Sequence, residues 1–196
     1  MYGKSGGGPH AVAVAALLPT RISRVASLAG GGPNSGPGFD CTDGQAPLMR
    51  EEILEARKGP EASREYYRRL IVKMGNPDEQ QLYSWNDRRI MRSPAPLREN
   101  LVQQLGLSGS PYSEEDAYVD DVQSFVSPWG FEFGSIKVPV RFFHGLDDLM
   151  VPPCHSEWLQ RQIPTAGLEL FPNIGHNLSQ LMPHVFAWLA GNEAKG

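Results

Sequence analysis

Cysteine is scarce in this chain: Cys41 and Cys154 are the only two among 196 residues. Two thiols cannot build a disulfide framework, so a stapled secreted scaffold is excluded and two reduced, structural thiols are expected. Long apolar runs are missing as well. The run Ala11–Leu18 is too short to span a bilayer and follows a glycine-rich turn. No basic leader with a cleavage site is visible, which points to a cytoplasmic protein with no membrane partner. An excess of one charge is also lacking. A net charge of −4 from 18 basic and 22 acidic residues argues against a nucleic-acid or anionic-lipid surface. Metal-ligand spacing is absent too, since no two of the five histidines pair with each other or with a cysteine in that way. No metal site is therefore expected. What is present, 40% hydrophobic and 20% charged residues, is the make-up of an ordinary globular core, alone or with a lid.

Three zones follow from the punctuation. In the first, residues 1–38, Pro9 sits near the start of an Ala/Val/Leu helix reaching Leu18, apolar almost all round as in a helix buried on a sheet. Pro19 stops it, Ile22–Ala29 reads as a short buried strand, and Gly30 through Gly38 as an irregular crossover. The second zone, 39–130, changes character. Pro47–Lys58, Glu61–Met74, Asp78–Met91, Pro96–Leu105 and Ser113–Phe125 carry helical periodicity broken by Pro and Gly. Between Phe39 and Trp129 the chain holds 16 acidic and 11 basic residues, interspersed as on solvated helix faces. The third zone, 131–196, returns to alternation: strand Val138–Phe143, helix Pro153–Gln162, strand Leu168–Phe171, helix Pro183–Ala190. Strands alternating with helices imply a parallel sheet with right-handed crossovers, hence an α/β fold.

The chemistry-bearing residues stand at the joints. Ser5 lies in Tyr2-Gly3-Lys4-Ser5-Gly6-Gly7-Gly8-Pro9-His10, where Gly3 and Gly7 complete a G-x-S-x-G elbow, a sharp strand-to-helix turn exposing a serine. Glycines fit there because larger neighbours would clash with strand, helix or substrate. The free N–H groups opening the next helix suit a developing oxyanion. Such an elbow hangs from a strand, for which only Met1 and Tyr2 remain. After Val138–Phe143 comes His144-Gly145-Leu146-Asp147-Asp148-Leu149-Met150-Val151-Pro152, and after Leu168–Phe171 comes Asn173-Ile174-Gly175-His176-Asn177. Both loops sit at the C-terminal ends of strands, where open α/β sheets place their sites. Taken singly, Ser5 is a turn serine, Asp148 a helix cap and His176 a packed histidine. Taken together and in this order, they form a candidate catalytic set.

These residues give the chain a resemblance to the α/β-hydrolase fold, in its serine-hydrolase branch with a helical cap. The elbow, the H-G-x-x-D-x-x-V-P phrase and the stretch Val119–Gly130 carry it, over nearly the whole chain. The resemblance implies Ser5 as nucleophile, Asp148 (not Asp147, one place early) as acid and His176 as base. It makes the Gly6 backbone N–H the first oxyanion donor, and places the second donor in a loop this chain does not contain. The implied activity is hydrolysis of a small-molecule carboxylic ester with no cofactor or metal, with an amide, a lactone, cofactor-free haloperoxidase chemistry or C–C hydrolysis as variants. The serine disfavours the epoxide hydrolases and dehalogenases of the fold, which carry an aspartate at the elbow. The family sheet order 1-2-4-3-5-6-7-8 would leave this chain strands six to eight and only the tip of five. An open sheet edge and weak stability are then expected.

The remaining polar and aromatic residues have plainer readings. Lys4 pins a loop, His10 packs or caps, and His144 is a hydrogen-bonding loop residue. His155 and His184 read as surface helix positions. Tyr66, Tyr67, Trp85 and Trp129 are candidates for an acyl pocket, with helix-core packing the better reading for most. Two rivals stand beside the hydrolase. One is a hydrolase-derived piece without activity that binds a partner. The other is a P-loop ending in Gly3-Lys4-Ser5, which the Asp148 and His176 motifs oppose.

Overall fold

The computed structural model describes residues 1–74 and 114–192, so the expected helices Asp78–Met91 and Pro96–Leu105, with Trp85, lie outside the described residues. Four parallel strands form the main sheet: β1 (Tyr2–Lys4), β2 (Val25–Leu28), β5 (Val140–Gly145) and β6 (Ala166–Phe171), adjacent in that order. That is one strand more than the elbow's short lead-in suggested. β1 is only three residues long, yet it pairs Tyr2 with Ala26 and Lys4 with Leu28. The Ala26 N–H donates to the Met1 carbonyl at 3.0 Å and the Ser5 N–H to the Leu28 carbonyl at 2.8 Å. Pairing that begins at the first residue turns a stub into a strand, and β2 is flanked on both sides.

Helix α1 (Gly7–Leu17) connects β1 to β2. It starts two residues before Pro9 and ends where Pro19 would remove an N–H and clash with the preceding turn. Where an irregular crossover was expected, β3 (Ser35–Gly36) and β4 (Phe39–Asp40) form a small antiparallel ladder. Helices α2 (Pro47–Ala56), α3 (Pro60–Met74) and α4 (Glu114–Val126) follow, close to their expected spans. Helix α5 (Cys154–Gln162) joins β5 to β6, and α6 (Met182–Leu189) closes the described chain. Among the described residues, no helix is long and apolar enough to cross a membrane.

Alternation along the strands sorts the core into two layers. Val25, Val140 and Phe142 face α1 and α5, packing with Ala11, Val12, Ala15, Trp158, Leu159 and Ile163. Ala26, Leu28 and Phe143 face the other way, onto Val185 and Trp188 of α6 and Leu178. β2 is buried along its whole length, as expected of an inner strand covered on both faces. The Arg141 guanidinium lies over the Trp188 ring, 5.1 Å from its centroid, and its Nη1 donates to Glu169 at 2.9 Å.

The three described helices of the middle zone hold one another by polar contacts. Tyr118 on α4 donates its hydroxyl to Glu52 on α2 at 2.7 Å. Burial nevertheless pushes the Glu52 carboxyl up, above the ordinary glutamate range. Gln123 on α4 donates to the Ala56 carbonyl at 3.0 Å and to Ser63 Oγ at 2.9 Å. Arg64 on α3 reaches Asp116 and Glu115. Of the aromatics considered for a pocket, Tyr66 is buried with its hydroxyl on the Leu48 carbonyl, and Tyr67 lies against Tyr118. Trp129 clusters with Phe131 and Phe133.

Both cysteines are free thiols. Burial pushes the Cys41 thiol up to about 11 against the opposing charge of Arg57, so it stays protonated at neutral pH.

His155 departs from expectation. Its position in α5 reads as a surface site, but the side chain is buried, its ring edge-on to Phe39. Nδ1 accepts the Gly32 N–H at 2.8 Å, which ties α5 to the loop after β2 and requires a neutral ring. Burial, helped by the neighbouring His144, lowers its pKa to about 4. An unfolded histidine takes its proton near pH 6.5, so the unfolded state binds more protons between pH 6.5 and about 4. Stability is then complete above pH 6.5 and falls as the pH drops through that window, by roughly 3 kcal/mol. Urea unfolding at pH 7 and pH 5 checks this. His155→Asn keeps an acceptor for Gly32 but no titrating ring, and is expected to flatten the dependence.

Candidate active site

Because all four strands are parallel, the turns leaving β1, β5 and β6 open on the same edge of the sheet. Ser5, Asp148 and His176 arrive there from positions up to 171 residues apart.

Ser5 follows β1 directly and adopts φ 52°, a left-handed conformation that a non-glycine residue holds only when its surroundings impose it. The imposition is visible on both sides. Its N–H is fixed to Leu28, and its carbonyl accepts the Gly8 N–H at 2.9 Å as α1 begins. A Cβ on Gly3 would overlap the Gly7 carbonyl oxygen, so strand and helix cannot approach this closely with any other residue at position 3. Gly7 itself meets nothing within 4 Å among the described residues, whereas a Cβ on Gly8 would lie 2.7 Å from the Gly30 Cα. Close packing therefore uses Gly3 and Gly8, and the second glycine of the motif is sterically open. Gly6 is the N-cap of α1, which places its N–H at the positive end of that helix. Above it stand Phe125 and Asp121 of α4; a Cβ at position 6 would meet the Phe125 ring at 3.0 Å. Asp121 Oδ1 also lies 3.1 Å from His10 Nε2, so α4 rests on the elbow at two points.

Asp148 lies in the turn after β5. The structure separates it cleanly from its neighbour: Asp148 is 2% exposed, whereas Asp147 is turned outward with its backbone N–H on the Ile174 carbonyl. Asp148 Oδ1 accepts the Met150 and Val151 N–H groups at 2.9 and 3.0 Å. Oδ2 faces His176 Nδ1 at 2.8 Å. Burial alone would raise this carboxyl, but hydrogen bonds and charge from His144 and His176 outweigh it and hold it well below the ordinary aspartate range. It is a fixed anion at any working pH.

His176 is carried by the loop after β6, and its Nε2 stands 2.9 Å from Ser5 Oγ. Nδ1 faces a permanent acceptor and so bears the proton; Nε2 is then the lone pair aimed at the serine hydroxyl. The side chain is 12% exposed, open enough to meet a solute at the sheet edge. The three residues form one unbroken hydrogen-bonded line. Its chemical capacity is a hydroxyl with an adjacent base, and a base held in one tautomer by a buried carboxylate.

Comparison with solved structures identifies the fold. An α/β-hydrolase enzyme from a Medee basin deep-sea metagenome matches 100% of this chain and 65% of its own, with a TM-score of 0.59 at 22% identity. The chain has the α/β-hydrolase fold. An esterase from Exiguobacterium antarcticum shares that fold over 98% of this chain and 66% of its own, with a TM-score of 0.57 at 14% identity. A pimeloyl-[acyl-carrier protein] methyl ester esterase from Nitrosomonas europaea is 26% identical over 179 residues, covering 89% of this chain. This α/β-hydrolase-fold chain spans 62% of that relative's length. No family model matches the sequence.

Some neighbours of the line had no signal in the sequence. Ser156, which meets His144 at 2.6 Å, is an ordinary helix residue until β5 and α5 are packed together. Asp121 and Phe125 lie in a stretch already noted for its resemblance, but their contact with Gly6 depends on how α4 docks. Among the described residues, no group of three or more His, Cys, Asp or Glu side chains is placed to hold a metal ion.

Proposed function

We propose that this protein is a serine hydrolase that cleaves small-molecule carboxylic esters, with Ser5 as nucleophile, His176 as general base and acid, and Asp148 as its anchor. The hydrogen-bonded line from Asp148 through His176 to Ser5 carries this reading. Ser5 Oγ attacks the ester carbonyl carbon while His176 Nε2 takes the hydroxyl proton. The imidazolium is stabilised by the buried Asp148 carboxylate. The oxyanion of the tetrahedral intermediate is met by the Gly6 N–H at the head of α1. As the C–O bond breaks, His176 returns its proton to the departing alcohol. Water then attacks the acyl carbon, giving a proton to His176; as the C–Oγ bond breaks, His176 passes that proton to Ser5 Oγ and the acid leaves.

Residues 39–130 are assigned as a helical cap over a core made of 1–38 and 131–196. The seat of Phe125 and Asp121 on the elbow supports that division, since it brings the inserted helices to the scissile bond. The esterase likeness of the relatives supports an ester over an amide. The acyl and alcohol groups accepted are a property of the cap.

Release of 4-nitrophenol from 4-nitrophenyl acetate and butyrate tests the activity. Hydrolysis well above that of a Ser5→Ala protein is expected, with preference for the shorter acyl chain left to measurement. Equal rates for the two proteins would contradict the proposal.

A further inference from the structure

His144 is the last but one residue of β5 and is completely buried, and both nitrogens of its ring are engaged. Nε2 stands 2.7 Å from the Val151 carbonyl and 3.3 Å from Asp148 Oδ2. Both are acceptors, so Nε2 carries the proton and shares it between them. Nδ1 is then the acceptor, and the Ser156 hydroxyl donates to it at 2.6 Å. The ring bridges three elements: the end of β5, the acid loop and α5. The titratable groups facing it are Asp148 in that loop, His176 beyond it and His155 on α5.

We infer that His144 is a positioning residue for the catalytic acid: held in one tautomer by Ser156, it fixes the Asp148 carboxylate so that Oδ2 stays in line with His176. The acid loop shows why a second anchor is needed. Met150 and Val151 N–H groups hold Oδ1, while Oδ2 is met by the His176 ring that it has to orient and by His144 Nε2 at 3.3 Å. The His144 contact gives Oδ2 a fixed neighbour besides the ring that moves in the reaction. The same ring, through the Val151 carbonyl, ties down the far side of the loop, so carboxylate and loop move together or not at all. Full burial keeps water from substituting for the ring. In metal sites, outer partners that orient a ligating histidine or carboxylate are worth roughly tenfold to a hundredfold, and the same scale is expected here.

This inference rests on the triad reading of Ser5, Asp148 and His176, and its test separates the two. His144→Phe removes the donor and His144→Gln replaces it with an amide N–H at the Nε2 position. Ser156→Ala removes one hydroxyl and with it only the tautomer lock. Rates are taken per folded active site. His144→Phe is expected to lower kcat roughly tenfold to a hundredfold with KM little changed, because the displaced Asp148 carboxylate no longer holds His176 in place. His144→Gln restores most of the loss, and Ser156→Ala gives a smaller loss in the same direction. In proton NMR of the resting protein, the low-field His176 Nδ1–H signal broadens or moves in His144→Phe and Ser156→Ala and returns in His144→Gln. If the Ser156→Ala protein keeps that signal and the parent kcat, His144 is a packing residue and the inference is overturned. Should the NMR changes appear without any ester hydrolysis in the parent protein, the proposed function fails while the positioning role stands.

Discussion

Ser5→Ala is expected to lower kcat for ester hydrolysis by about 10⁶, and Asp148→Asn by about 10⁴, the scale seen when serine-protease triads lose the same groups. The two losses arise differently. Without the Ser5 hydroxyl no acyl-enzyme forms, and His176 has nothing within reach to activate except water. Asp148→Asn leaves the shape of the loop largely intact but presents an N–H or a weaker acceptor to His176 Nδ1. The ring is then free to place its proton on Nε2, facing Ser5 across 2.9 Å with a donor where a base is required. Ser5→Ala with Asp148→Asn should be hardly worse than Ser5→Ala alone, since the residues act as one unit. Stopped assays on purified proteins of matched folded fraction measure all three. An Asp148→Asn protein within tenfold of the parent would show that another group orients His176.

Gly145→Ala is expected to cost about 3 kcal/mol or more of stability, and with it most of the activity. Gly145 ends β5, paired with Phe171, and a Cβ there would overlap the carbonyl oxygens of both Ile174 and Gly175. These are backbone atoms of the loop that carries His176, so neither side has a flexible end to yield. Relief requires parting β5 from that loop, which breaks the Leu146 N–H bond to Phe171 and the Asp147 N–H bond to Ile174, both 2.9 Å. The acid and the histidine would then separate together. Gly7→Ala serves as the contrast, because its Cβ meets nothing among the described residues and α1 gains a better helix former. Urea unfolding should place Gly7→Ala within about 0.5 kcal/mol of the parent. A Gly145→Ala protein equally close to the parent would refute the packing argument.

The elements most legible in the sequence were those whose signals are local. β5 and α5 are bounded by a β-rich run and by the Pro152-Pro153 pair, and both appear within two residues of their expected limits. Asp148 and His176 were legible for the same reason: each follows directly on a strand that could be read by itself. β1 was not, because three residues carry no periodicity and the strand exists only by pairing with β2. His155 looked exposed because α5 is polar by composition, but Phe39 and the Gly31-Gly32 backbone arrive from over a hundred residues away to cover it. The G-x-S-x-G pattern marked the strand-to-helix turn at Ser5 while directing attention to Gly7; which glycine must lack a side chain depends on the approach of Gly30, a tertiary fact. Likewise Ser156 and His144 become partners only when β5 and α5 are packed side by side.

The account turns on Ser5 being a nucleophile activated by His176, and covalent labelling reads that directly. A fluorophosphonate probe should attach once per chain, with mass spectrometry of the digested protein placing the adduct on Ser5. Ser5→Ala should abolish the adduct, and Asp148→Asn should slow its formation by orders of magnitude. An adduct on another residue, or one that persists in Ser5→Ala, or no adduct in a folded parent protein, would contradict the account.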